Sequence, residues 1–122
     1  MGEARRILVV DDDQDCRDVM CEVLDDAGYD VVGVDDGADA LAFAARDRPR
    51  LVLLDLMMEN VSGWEVLDAL RSDARLRTVP VVVVSAAPRS QMPMAVPFLR
   101  KPFCLQDLLE AVSTHTTGPN GA

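Results

Sequence analysis

The sequence has little lysine, few aromatic residues and no long apolar run. The 12 basic residues of the 122-residue chain are eleven arginines and one lysine, Lys101, against 21 acidic residues, so the net charge is −9. Such a charge repels nucleic acid and anionic membrane surfaces, and we expect neither as a direct partner. The longest apolar stretches, at 51–54 and 79–84, are far too short to span a bilayer. No apolar segment typical of a signal peptide follows the N-terminal residues.

Cysteine is also scarce. Cys16, Cys21 and Cys104 are odd in number and lack CxxC or zinc-ligand spacing. We interpret them as reduced thiols of a cytoplasmic protein, with packing as their role. The length predicts one domain, over 1–115, followed by a flexible tail at 116–122.

Short apolar, β-branched runs alternate with helical patterns along the chain. Five strands are predicted, at 7–10, 31–34, 51–54, 81–84 and 98–100. Strands that alternate with helices predict a parallel sheet with helices on both faces. Asp13 is predicted to cap the first helix, and Gly28 to end it. His115, near the end of the last helix, is interpreted as a solvated residue.

The connection between the fourth and fifth strands is unusually short. It has 12 residues, Ala86 to Pro97, which is about the minimum for a parallel crossover, and three of them are prolines. We therefore expect a turn or loop in place of a helix. Three apolar residues are expected to cover the sheet instead, namely Met92, Met94 and Val96.

Polar residues stand where the predicted strands end, which is where open α/β sheets bind ligands. Asp11 to Asp13 follow the first strand, Asp55 the third, Ser85 the fourth and Lys101 the fifth. Carboxylates gathered at one edge repel each other unless a cation lies among them, and Mg²⁺ prefers such oxygen ligands. A carboxylate beside Mg²⁺ is able to accept a phosphoryl group, which the hydroxyl and the lysine would contact.

Each of these residues also has a structural interpretation. The aspartates at 11–13 suit a helix start, Asp55 suits a turn, and serine ends many strands. Only the four strand ends together indicate a site.

Four motifs in order resemble those of the response-regulator receiver domain, over nearly the whole chain. They are Ile7–Asp13, Leu53–Met58 with Ser62-Gly63 downstream, Val83–Ala86 and Leu99–Phe103. The resemblance implies a doubly wound, flavodoxin-like α/β fold with five parallel strands in the order 2-1-3-4-5. The short connection implies that the family's fourth helix is reduced or absent.

The resemblance also implies the roles of the acidic residues. Asp55 would accept a phosphoryl group from the phosphohistidine of a histidine kinase. Asp12 would be the main carboxylate on Mg²⁺, with Asp11 helping, Asp55 beside them and the Met57 backbone carbonyl completing the set.

The remaining motif residues would act on the phosphoryl group or respond to it. Ser85 and Lys101 would contact its oxygens, and Ala86 would keep the entrance open. Phe98 stands at the family's aromatic switch position, which couples movement of Ser85 to the surface.

Two departures from the family pattern concern the loops around the acceptor. Glu59 stands where the family usually has proline, so the turn after Asp55 is less constrained and more acidic. Met57 and Ala87 stand where many members place polar groups that steer an attacking water. We therefore expect slow self-dephosphorylation.

These observations favour a phosphorylation-dependent signalling module rather than a turnover enzyme. Its partners would be a histidine kinase or phosphotransfer protein and an unidentified downstream effector. One alternative is a degenerate receiver that binds a protein constitutively. Another is a phosphatase of the haloacid-dehalogenase type, because Asp11-Asp12-Asp13 fits D-x-D, although no cap domain is visible. No effector domain follows the motifs, which fits either a stand-alone regulator or a receiver from a longer protein.

Overall fold

The computed structural model of the chain describes residues 6–93 and 95–117, the last of them by its backbone alone. Within these residues, strands and helices alternate as predicted, and each strand lies within one residue of its predicted bounds. The elements are β1 (Arg6–Val10), α1 (Gln14–Asp26), β2 (Asp30–Val34), α2 (Gly37–Asp47), β3 (Leu51–Leu54), α3 (Gly63–Ser72), β4 (Val81–Ser85), a 3-10 helix (Arg89–Gln91), β5 (Phe98–Arg100) and α4 (Leu105–Thr117).

The five strands form one parallel sheet in the order β2-β1-β3-β4-β5. Val10 lies opposite Leu54 of β3, and Ser85 lies opposite Arg100 of β5. Because all strands run the same way, the residues after β1, β3, β4 and β5 meet at one edge. The predicted flavodoxin-like topology is confirmed.

Each face of the sheet is covered by its own hydrophobic core. Alternate residues of a strand point to opposite faces, so Leu8 and Val10 join one core while Ile7 and Val9 join the other. The first core includes residues of α2 and α3, and the second includes residues of α1 and α4. The sheet is therefore doubly wound.

Helix α1 begins and ends as the sequence predicts. The Asp13 side chain accepts a hydrogen bond from the Cys16 backbone N–H at 3.2 Å, which caps the helix. Gly28 follows the helix with φ +98°, a left-handed conformation that glycine adopts without steric cost. Asp11 and Asp12, which lie between β1 and the cap, are therefore at the carboxyl end of β1.

The crossover from β4 to β5 confirms the expected loss of a helix. In its described part, the regular structure is the three-residue 3-10 helix. Val96 is buried, and Met92 and Phe98 pack against the core on the face of α2 and α3. Met94, the third residue expected to cover the sheet, lies outside the described residues. Loop residues therefore cover a face that a helix would otherwise cover.

Helix α4 includes the first two residues that the sequence assigned to a tail. Thr116 is buried, its hydroxyl donates to the Val112 carbonyl at 2.7 Å, and its own carbonyl accepts from Arg50 Nε at 2.9 Å. The rest of the predicted tail, 118–122, lies outside the described residues. Among the helices of the described ranges, none is long and apolar enough to cross a membrane.

Candidate functional site

Three carboxylates meet at the carboxyl edge of the sheet. Asp11 follows β1 directly and is fully buried, Asp12 beside it is exposed, and Asp55 follows β3 and is 5% exposed. One carboxylate oxygen from each lies within 4.8 Å of the others. The strand ends hold the carboxylates together, because the Asp55 N–H donates to the Val10 carbonyl at 2.9 Å. The predicted acidic cluster is therefore present.

Lys101 brings the opposing charge into this cluster. Its Nζ lies 2.8 Å from Asp11 Oδ2 and 3.6 Å from Asp55 Oδ2. Its backbone N–H donates to the Ser85 carbonyl at 2.9 Å, so pairing of β5 with β4 sets the position of the lysine. The only lysine of the chain thus lies between two buried carboxylates.

The burial and the charges change the acid–base properties of both partners. Burial raises the pKa of Asp55 above its ordinary value, and the nearby Lys101 ammonium opposes this rise. Burial lowers the pKa of Lys101, but the hydrogen bond to Asp11 and the charge of Asp55 outweigh it, so the pKa lies above its usual range. Lys101 therefore remains a cation at every physiological pH.

Ser85 ends β4 beside the acceptor carboxylate. Its side chain is fully buried, and its Oγ accepts a hydrogen bond from the Ala87 N–H at 3.2 Å. Its hydroxyl also interacts with Asp55 and lowers the pKa of that carboxyl. Ala86, which follows Ser85, is exposed, and the role expected for it at the entrance stays a prediction.

The loop after β3 wraps around the acceptor. The Met57 N–H donates to Asp55 Oδ1 at 3.2 Å, while the Met57 side chain is 55% exposed. The Glu59 N–H donates to Asp12 Oδ2 at 3.3 Å. Proline has no N–H, so the usual family residue at this position would not make this bond. The departure at Glu59 therefore ties the loop to the exposed aspartate.

Gly63 allows this loop to lie close to the acceptor. A Cβ at this position would collide with the carbonyl oxygen of Asp55 and with the Leu56 Cα. The Gly63 N–H donates to the Leu56 carbonyl at 3.0 Å. Helix α3 therefore starts against the end of β3, and only glycine fits there.

Two arginines near the site were not predicted from the sequence. Arg17 of α1 donates from Nη1 to the Asp11 carbonyl at 2.8 Å. Its spacing of four residues from Asp13 would have predicted a pair with that side chain, and not this contact with the Asp11 carbonyl. Arg89 of the crossover lies with its Cζ 5.4 Å from the centre of the Phe98 ring. No motif marks that contact.

The donor set suits a hard divalent cation. With all three carboxylates ionised, their charge exceeds that of Lys101 by two, and the exposed Asp12 leaves one side open to a hydrated ion. Mg²⁺ usually keeps several waters and takes one or two protein carboxylates. The residues present therefore fit Mg²⁺.

Comparisons with known proteins agree with this geometry. The family model for the response regulator receiver domain matches residues 7–113. The DNA-binding dual master transcriptional regulator RpaA of Synechocystis is 36% identical over 113 residues, covering 88% of this chain and 47% of RpaA. The chain thus spans about half the length of that relative.

Solved structures share the whole fold. The receiver domain of a signal transduction histidine kinase from Syntrophus aciditrophicus has a TM-score of 0.87 at 26% identity, covering 98% of this chain and 95% of that one. The response regulator protein TrrA of Thermotoga maritima, solved with Mg²⁺-BeF, has a TM-score of 0.82 at 30% identity, covering 90% and 97%.

Proposed function

This chain belongs to the response regulator receiver domain family of two-component systems, and we propose that it is a phosphoacceptor switch in which Asp55 receives the phosphoryl group. The observation that carries the proposal is the position of Asp55. Its carboxylate lies at the carboxyl edge of the sheet, between two further carboxylates and the only lysine of the chain. A carboxylate so placed is a nucleophile with a countercharge already beside it.

Mg²⁺ is the cofactor we assign to the acidic cluster, held by Asp11, Asp12 and Asp55 with the Met57 carbonyl as a further ligand. When bound, it supplies positive charge that offsets the repulsion between the carboxylates and the incoming phosphoryl group. The TrrA structure contains Mg²⁺ and a beryllofluoride group, which supports the assignment by similarity.

The transfer itself requires little from the protein beyond position and charge. The N–P bond of a phosphohistidine breaks as an O–P bond forms on an Asp55 oxygen, and the electron pair of the broken bond stays on the imidazole. Lys101, now bound to Asp11, lies close enough to Asp55 to contact a phosphoryl oxygen on it. The Ser85 hydroxyl is the second group we assign to that contact.

Phosphorylation would change the surface through the β4–β5 region. Ser85 moving toward the phosphoryl group would give up its bond from the Ala87 N–H, which starts the crossover. Phe98 pairs with Val83 of β4, and it packs against the same hydrophobic core as the crossover residue Met92. We therefore propose that Phe98 follows Ser85 and alters the face around β5.

The phosphoryl group on Asp55 is expected to be long-lived. The Met57 side chain is exposed but apolar, and Ala87 is fully buried. Neither side chain offers a polar atom that would orient an attacking water. A half-life of minutes or more in Mg²⁺ buffer is the expected result, and a half-life of seconds would contradict it.

The experiment that tests the function is treatment with acetyl phosphate and Mg²⁺, followed by peptide mapping of the phosphoryl group by mass spectrometry. Modification at Asp55 is the expected result. Modification at Asp11 would indicate a phosphatase of the haloacid-dehalogenase type. No modification, with Mg²⁺ binding also absent, would indicate a degenerate receiver.

The loss of a helix in the crossover favours a second candidate function, the degenerate receiver. A three-residue 3-10 helix replaces the surface that this family commonly uses for output, so a constitutive binding role needs no switching there. The complete set of Asp11, Asp12, Asp55, Ser85 and Lys101 favours phosphorylation instead. The two functions differ in whether the affinity for a partner changes with the modification.

The partners and the location follow from the same proposal. A histidine kinase or phosphotransfer protein would donate the phosphoryl group, and the free state of all three cysteines is compatible with the cytoplasm. RpaA is described as DNA-binding, but the net charge of −9 leads us to propose that this chain itself does not contact nucleic acid.

A further inference from the structure

A second concave site lies at the opposite edge of the sheet from the acidic cleft. It is a pocket of about 450 Å³ between the end of α3, the loop leading into β4, and the last crossover residues before β5. Its lining includes four buried apolar side chains, namely Leu70, Leu76, Val79 and Val96. The volume is within the range of small-molecule sites in proteins.

The charged residues of this pocket are all basic. Arg71 and Arg77 line it together with His115, and no acidic residue of the described ranges does. His115, interpreted from the sequence as solvated, is in fact partly buried. A pocket whose ionisable lining residues are all basic is unexpected in a chain with 21 acidic residues and a net charge of −9.

The two arginines are also without partners among the described residues. Neither guanidinium makes a hydrogen bond or ion pair there, whereas Arg6 pairs with Asp30 and Asp47, and Arg50 donates to the Thr116 carbonyl. Guanidinium groups bind phosphate and carboxylate through paired N–H donors. Arg71 and Arg77 therefore present free donors for an anion at the rim of an apolar floor.

The short crossover forms one wall of the pocket. Ala95 to Pro97 line it, and Ala95 has φ +63°, a left-handed conformation that is uncommon for a residue with a side chain. Val96, next in the chain, is buried and turns toward the core. The left-handed conformation of Ala95 therefore shapes this wall, and the pocket lies open beside it.

We propose that this pocket binds a small organic anion, with a phosphate or carboxylate group on Arg71 and Arg77 and an apolar or aromatic body on the floor. The Thr78 hydroxyl, which accepts from Arg48 at 2.9 Å, keeps its own proton to donate to the same anion. Such a ligand matches both the charge of the rim and the apolar lining. The site is separate from the phosphoacceptor, which lies at the other end of the strands.

The test is a titration of the full chain, without Mg²⁺, followed by amide chemical shifts in NMR spectra. The probes are 1-naphthyl phosphate, 1-naphthoate and neutral 1-naphthalenemethanol. Saturable binding with a dissociation constant below about 1 mM is expected for at least one of the two anions, with amide shifts at Arg77, Thr78 and Ala95. The stronger of the two identifies phosphate or carboxylate as the preferred group. No saturation by either anion, equal binding of the neutral probe, or shifts centred on Asp55 would overturn the proposal.

Substitutions separate a built site from general attraction between charges. Arg71→Gln and Arg77→Gln are each expected to weaken binding of the preferred anion about tenfold, because each removes one charged donor pair. Both side chains are exposed, so folding should be retained, as unchanged thermal melting would verify. Arg75→Gln removes the same charge between these two positions in the sequence, but outside the pocket lining, and should change the affinity by less than twofold. An equal loss in all three variants would overturn the proposal.

Discussion

The acidic cleft and the β4–β5 crossover are neighbours in this molecule but differ in how closely they follow the receiver pattern. In the cleft, the acidic residues, the hydroxyl and the lysine of the pattern are all present, and the strand ends hold Asp11, Asp55 and Lys101 within ion-pair distance. In the crossover, a 3-10 helix and loop residues replace a helix. Ser85, at the end of β4, belongs to both regions.

The difference separates the phosphorylation chemistry from its output. The cleft depends on residues that follow strands, and these positions are set by the sheet register, so a change in the crossover leaves them in place. The surface that reports phosphorylation depends on the crossover itself. We infer that this chain retains the chemistry and presents a different surface to its partner.

Asp55→Asn is the substitution expected to have the largest effect on the cleft. Phosphoryl incorporation from acetyl phosphate should be lost completely, because the amide is not a nucleophile toward phosphorus. The thermal midpoint should not fall, since the substitution removes a charge whose burial raises the pKa of Asp55. Intact-mass measurement checks the incorporation. Asp13→Asn, which keeps a capping residue, is the matched control and should be phosphorylated normally. Phosphoryl incorporation into Asp55→Asn at the normal level would show that another residue is the acceptor.

Lys101→Met tests the electrostatic balance of the same cleft. Without Mg²⁺, the free energy of unfolding should fall by about 3 kcal/mol, because the fully buried Asp11 loses its ion-pair partner. Urea unfolding measures this loss, and added Mg²⁺ should restore part of it by replacing the missing charge. Lys101→Arg keeps the charge and should lose less. A Lys101→Met variant as stable as the original without Mg²⁺ would show that the ion pair is not needed to hold the carboxylates together.

Gly63→Ala tests whether the backbone around the acceptor depends on close packing. The added Cβ would lie 2.9 Å from the Asp55 carbonyl carbon and collide with its oxygen, so stability should fall by about 2 kcal/mol and phosphorylation should slow. Gly33→Ala is the control, since the three atoms nearest to its Cβ would belong to the side chains of Cys21 and Arg17, which can shift, and not to the backbone. Denaturation and acetyl phosphate kinetics on both variants measure the two effects. Equal effects in the two variants would contradict the special role of Gly63.

Arg89→Gln should have the smallest effect, and it addresses the crossover alone. Loss of the cation over the Phe98 ring should lower stability by about 0.5–1 kcal/mol and leave the rate of Asp55 phosphorylation within twofold of normal. Arg46→Gln is the control, because Arg46 lies over the Phe43 ring in the same way at 5.6 Å, away from the crossover. After phosphorylation, only Arg89→Gln should alter the amide chemical shift of Phe98 in NMR spectra. A large fall in its phosphorylation rate would show that the two regions are not separable.

The sequence could predict the sheet and the members of the cleft for physical reasons. A strand buried on both faces appears as a continuous apolar run, as at 51–54, and parallel strands bring the residues after them to one edge. The short length and the prolines between Ala86 and Pro97 were also sufficient to predict the loss of a helix.

Side-chain pairings between distant segments could not be predicted in this way. Lys101 and Asp11 are 90 positions apart, and only the folded sheet brings Nζ against the carboxylate. The bond from the Glu59 N–H to Asp12 arises from a loop conformation, which no motif describes. Helix α4 continues past residue 115, where the Thr116 carbonyl accepts from Arg50, a residue far away in sequence.

Beryllofluoride shows whether the intact cleft drives a change in the altered crossover. Amide chemical shifts of the chain with Mg²⁺ alone would be compared with those after beryllofluoride is added to mimic the phosphoryl group on Asp55. We expect large shifts at Ser85 and Lys101 together with shifts at Arg89, Val96 and Phe98. Shifts confined to the cleft, with the crossover unchanged, would contradict this expectation and favour the degenerate receiver.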